Sequence, residues 1–130
     1  MNKGQRYATI ATAVLVGLGV FQLLLIFGLP LGKAAWGGLY TVLPLGLRFG
    51  SASSIIIYFI AIYAIRTRAG LRQTSPNSKF ARIGTWFFGI FFLLGVLLNV
   101  ASASPWERYL MAPIAALLGV LFMLVAKNKL

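Results

Sequence analysis

Long apolar runs separated by short polar segments organise this chain. The first uncharged run lies between Arg6 and Lys33, with its core at residues 8–29. At about 1.5 Å per residue that core makes roughly 33 Å of helix, enough to cross a bilayer once. The same pattern predicts further crossings over residues 44–66, 83–103 and 105–126. The second is the least regular. Residues 49–65 are uncharged but short, and starting at Pro44 completes the crossing with Arg48 near its beginning. Proline suits a first helical turn, where its missing N–H costs nothing. An arginine so near a boundary can carry its charge out to the headgroups. In the third crossing, Phe87, Phe88, Phe91 and Phe92 are expected to form a packing or lipid-facing stripe. Pro113 predicts a kink in the fourth.

The start of the chain has the look of a secretory signal, because Lys3 and Arg6 precede an apolar stretch. A signal core is only about 7–15 residues and ends in a small-residue cleavage site. This run is longer and lacks a clear site, so a retained first helix is expected.

The connections differ in kind. The basic loop at 67–82 contains "QTSPNS", a turn-rich polar stretch. With Arg66 at its edge it carries Arg68, Arg72, Lys79 and Arg82. Adding Lys3, Arg6, Lys127 and Lys129 gives nine of the twelve cations, against Lys33, Arg48 and Arg108 on the other side. Cytoplasmic loops carry the excess of Lys and Arg, so both termini are expected inside. The fold class predicted is an all-α integral membrane four-helix bundle, N-in and C-in, as one domain over 1–130. Arg66, Arg68, Arg72, Lys79 and Arg82 are expected to contact anionic lipid headgroups, at about 1 kcal/mol per residue near the surface.

The first outer connection, "LPLGKAAWGGLYTV" at 29–42, is apolar, glycine-containing and too short to cross and return as helix. It is expected to lie in the membrane interface, with Trp36 and Tyr40 as anchors and Trp106 serving similarly at the fourth crossing. A shallow re-entrant course is the alternative, and it requires protein to cover the backbone.

Composition sharpens this picture. Hydrophobic residues make up 60% of the chain and charged residues 10%, against roughly 25% charged in a soluble domain. A soluble fold this small could not hide so much apolar surface. The net charge of +11 suggests nucleic acid at first, but the cations sit where topology demands them. Cysteine and histidine are absent, which removes disulfides, thiolate chemistry and ordinary zinc or haem ligation. A single carboxylate provides neither an acid pair nor a calcium cage. No metal or cofactor is expected, and an enzyme is disfavoured for want of activating groups. The lack of cysteine and the short loops fit a bacterial inner membrane.

That carboxylate is Glu107, in "SPWE" at 104–107. One reading is a capping box, with Ser104 as N-cap, Pro105 first in the helix and Glu107 reaching back. The other reading comes from the depth of the polar residues. Gln22, Arg48, Asn99, Ser102, Glu107 and Arg108 all fall in the outer half, and intramembrane polar groups are often functional. They form the candidate ligand-binding set, with Arg48 expected to pair with Glu107. The function expected is binding of a lipid, a small amphiphile or a partner membrane protein in an outer polar pocket. The alternative is an oligomeric small transporter or channel, for which the outer cations suggest an anionic solute. Expected partners are anionic lipids on the cytoplasmic side and a second copy or a larger membrane protein.

Overall fold

The computed structural model describes residues 1–72 and 75–127. The loop tip at 73–74 and the C-terminal Lys129 lie outside the described residues. Those described form an all-helical fold with four long helices and no strand. Helix α1 is Lys3–Ile26, α2 Leu45–Arg68, α3 Lys79–Val100 and α4 Glu107–Lys127, and each is long and apolar enough to cross a membrane.

Local chemistry sets the helix starts. Asn2 Oδ1 accepts from the Gln5 N–H at 2.8 Å, and Gln5 Oε1 accepts from the Asn2 N–H at 3.3 Å. This reciprocal cap lets α1 begin in polar sequence, ahead of the apolar core. Pro44 stands at the N-cap of α2. The Ser78 hydroxyl accepts from the Ala81 N–H at the start of α3.

The helices alternate in direction. Thr12 of α1 meets Arg66 of α2 while Gln22 meets Tyr58, an antiparallel register. Thr85 of α3 donates to the Ala64 carbonyl of α2. Along α3 and α4, Gly95 lies against Ala115, Gly119 against Leu93, and Gly89 against Met123. The largest interface is α3 with α4, and α1 packs on both α2 and α4. Small residues bring α1 and α2 together, since Ala8, Ala11, Ala61 and Ala64 are fully buried. The α3–α4 seam is filled by aromatics, with Phe122 between Phe88 and Phe92 at ring separations of 6.4 and 5.3 Å. The expected phenylalanine stripe therefore splits. Phe88 and Phe92 face the core, while Phe87 and Phe91 are exposed.

Two ends result. One gathers Lys3, Arg6, Arg66, Arg68, Arg72, Lys79, Arg82 and Lys127, while Lys33, Arg48 and Arg108 lie at the other. At the cation-rich end several of these groups are bound within the protein. Arg68 is buried, and its Nη1 donates to Asn77 Oδ1 at 2.9 Å and the Pro76 carbonyl at 3.2 Å. Arg72 sits 4.2 Å over the Tyr63 ring. Arg72, Lys79 and Arg82 are all exposed.

At the cation-poor end, the connection from α1 to α2 folds back onto the bundle. Two short 3-10 turns, Gly32–Ala34 and Trp36–Gly38, shape it. The Gly32 N–H donates to the Thr41 carbonyl at 2.8 Å and closes the loop on itself. Leu43 and Ala35 bury against Leu25. Gly38 has φ +75 and abuts Ser104, leaving no room for a Cβ.

Candidate functional site

The α4 helix opens with a wide turn. Glu107–Met111 is π-helical, and the Ala112 N–H reaches the Glu107 carbonyl. Pro113 follows immediately, and a proline ring collides with the carbonyl four residues earlier in a regular helix. Widening the turn before it relieves that collision, so the kink expected at Pro113 takes this form. Turns of this kind are rare and often accompany functional sites.

The wide turn redirects Glu107. The capping box expected across Ser104 and Glu107 is absent. Ser104 keeps its backbone role, its carbonyl accepting from the Arg108 N–H, but its hydroxyl donates to the Lys33 carbonyl of the α1–α2 loop. Glu107 Oε1 instead accepts from the Ser102 hydroxyl at 2.6 Å. Ser102 Oγ also accepts from the Ser104 N–H at 3.1 Å. Glu107 is only 9% exposed.

The expected ion pair is also absent. Arg48 Nε donates to the Leu43 carbonyl at 2.8 Å, and its guanidinium lies beside Gly28, whose φ of +86 turns the chain out of α1. Leu43 is buried where the loop returns, so Arg48 secures the loop and not the carboxylate. Arg108 is exposed and lies 5.4 Å over the Tyr109 ring.

A cavity of about 430 Å³ lies between the helices toward the cation-poor end. Gln22 from α1, Asn99 from α3 and Glu107 from α4 all line it, so three of the six candidates converge on one space. Ser102 lines an adjoining cleft that shares Trp36, Asn99 and Glu107 with the cavity. Arg48 and Arg108 line neither. Apart from Ser54, Tyr58 and Trp36 the remaining walls are apolar, among them Phe91, Phe92, Met111 and Leu118.

Three lining groups able to hydrogen-bond, Ser54, Tyr58 and Trp36, were not in the expected ligand set. Tyr58 accepts from Gln22 Nε2 at 3.4 Å across the α1–α2 interface. Its position was readable as the far end of a Ser51, Ser54, Tyr58 series at helical spacing, which puts all three on one face of α2. Trp36, expected only as an interfacial anchor, also walls the cavity. Its Nε1 donates to the buried Ser51 hydroxyl at 3.2 Å. Its ring lies over Gly50, where a Cβ would stand 2.8 Å away. Trp36 adopts φ +51, the one non-glycine residue with positive φ in the described chain. Such backbone strain costs about 1–3 kcal/mol and persists only where surroundings enforce it. The Ser51 bond and the Gly50 seat are the enforcing contacts.

Most donors on the lining are engaged within the protein. Trp36 Nε1 is held by Ser51, Ser54 Oγ donates to the Gly50 carbonyl, and Asn99 Nδ2 donates to the Gly95 carbonyl. Gln22 is 8% exposed, and its Oε1 has no hydrogen-bond partner. The arrangement offers acceptor oxygens inside a largely apolar chamber. No group of metal-ligating side chains occurs among the described residues.

Comparison with protein-family models, curated proteins and solved structures finds no match for this chain.

Proposed function

We propose that the chain is a multi-pass protein of a bacterial inner membrane, with both termini inside, that binds a lipid or small amphiphile in its outer half. A partner membrane protein presenting such a group would use the same site. The observation that carries this reading is the convergence of Gln22, Asn99 and Glu107 on one cavity of about 430 Å³. Ligand pockets fall at roughly 300–1,000 Å³ and combine apolar walls with a few placed polar groups. A buried carboxylate is costly in such surroundings, and a bound polar group offsets that cost. At the opposite end, exposed Lys79 and Arg82 are suited to anionic headgroups.

A small oligomeric transporter or channel is the second reading. It has less support, because Leu15, Phe122 and Val125 are fully buried in the bundle core outside the cavity lining. Native mass spectrometry of the protein released from mild detergent tests the choice. A monomer retaining one discrete small molecule or lipid is the expected result. A clean homodimer carrying nothing would shift the reading to transport.

A further inference from the structure

We infer that the cavity takes a single-chain amphiphile with an ammonium head, its positive charge seated against Glu107. This inference rests on the binding reading above and names the ligand class for that site.

The chain has one carboxylate and twelve cationic side chains. Three of those cations, Lys33, Arg48 and Arg108, lie at the same end as the carboxylate, and Lys33 is exposed. Glu107 is nine-tenths buried and its bonded neighbour is the neutral Ser102 hydroxyl. The two nearest cations in sequence or expectation are turned elsewhere, Arg48 to the Leu43 carbonyl and Arg108 over Tyr109. A buried carboxylate without a charged partner calls for one from outside the chain.

Beside the Tyr58 hydroxyl, which accepts from Gln22 and keeps its own O–H, two further acceptor oxygens stand on the lining. The Gln22 Oε1 atom is buried without a partner. Asn99 uses its amide nitrogen on the Gly95 carbonyl, which leaves its oxygen for a ligand. These acceptors suit an N–H donor. Aromatic faces attract cations too, and Trp36, Tyr58 and Phe91 stand on the same walls. Among the described residues no lysine or arginine lines the cavity, which disfavours an anionic head. The volume of about 430 Å³ is near the lower end for ligand pockets, which matches one alkyl chain better than two.

The test is a native mass spectrometry titration of the full chain in dodecyl maltoside. The probes are dodecylammonium, dodecyltrimethylammonium, dodecanol, dodecanoate and dioleoylphosphatidylethanolamine. Dodecylammonium is expected to be retained one per chain, at least about tenfold more tightly than dodecanol, because the alcohol can donate one hydrogen bond but brings no charge to the carboxylate. Dodecyltrimethylammonium, which keeps the charge but has no N–H, should fall between them. Dodecanoate should be retained least. In Glu107→Gln the preference for dodecylammonium over dodecanol should collapse while dodecanol retention persists. Equal retention of all single-chain heads, or preference for dodecanoate, would overturn the ammonium assignment and leave the pocket reading standing. Preference for dioleoylphosphatidylethanolamine over dodecylammonium would overturn the single-chain assignment. Retention of no probe by the wild-type chain would overturn the pocket reading itself. These wild-type comparisons decide the matter even if Glu107→Gln fails to fold.

Discussion

At the residue scale, the decisive contact is the Ser102–Glu107 hydrogen bond of 2.6 Å. A double-mutant cycle tests it against the expectation drawn from sequence. Ser102→Ala and Glu107→Ala should couple by about 0.5–3 kcal/mol in stability, the range for residues that share a hydrogen bond. Arg48→Ala and Glu107→Ala should add, because Arg48 spends its guanidinium on the loop at Leu43. Coupling in the second cycle and none in the first would restore the ion pair. The sequence favoured that pair because opposite charges at similar depth attract. It could not show that a wide helical turn aims Glu107 toward α3, nor that Gly28 lets the loop run past Arg48. The polar depth pattern did identify Gln22, Asn99 and Glu107, because a bundle has only one interior for such groups to share. Trp36 escaped that logic. Its inward seat depends on Gly50 and Ser51 in a different helix, a tertiary fit that local composition does not encode.

At the scale of the helices, the glycines separate into two kinds that look alike in sequence. Gly119 on α4 is buried against α3, and a Cβ there would stand 2.5 Å from Leu93 Cδ2. Gly17 on α1 has nothing within 4 Å of the same position. Gly119→Val should therefore part α3 from α4 and destabilise the fold by about 1–3 kcal/mol, as overpacking does. Gly17→Ala should be neutral or stabilise by up to about 1 kcal/mol through helix propensity. Unfolding of the two purified variants by titrated denaturing detergent, followed by circular dichroism, checks both signs. Equal effects would mean that α1 packs through Gly17 against something outside this chain, such as a second copy. Helix number was legible because each span repeats one physical requirement, about 20 apolar residues. Which face of each helix turns inward was not, since in lipid both faces are apolar. The splitting of Phe87 and Phe91 from Phe88 and Phe92 is the clearest case.

At the scale of the whole molecule, the proposed orientation rests on the division of charge between the ends. Eight described cations gather at the end with the N-terminus and the α2–α3 connection, and three lie at the other. Inverting the bundle would carry the larger group outward. Each charge moved against an inside-negative potential costs about 2.3 kcal/mol per 100 mV. Each also forgoes about 1 kcal/mol of attraction to the anionic inner leaflet. In the proposed orientation those costs act during insertion, when the loops choose sides, and the Glu107 cavity falls in the outer half. The absence of cysteine makes the claim directly measurable. Ser75→Cys and Lys33→Cys each put one thiol at an exposed position at opposite ends. A membrane-impermeant maleimide added to intact spheroplasts should label Lys33→Cys and leave Ser75→Cys unreacted until the membrane is opened. Labelling of Ser75→Cys alone would invert the bundle and turn the cavity toward the cytoplasm, where it would draw its ligand from the inner leaflet. Labelling of both in intact cells would mean mixed orientation, which a charge division this uneven does not permit.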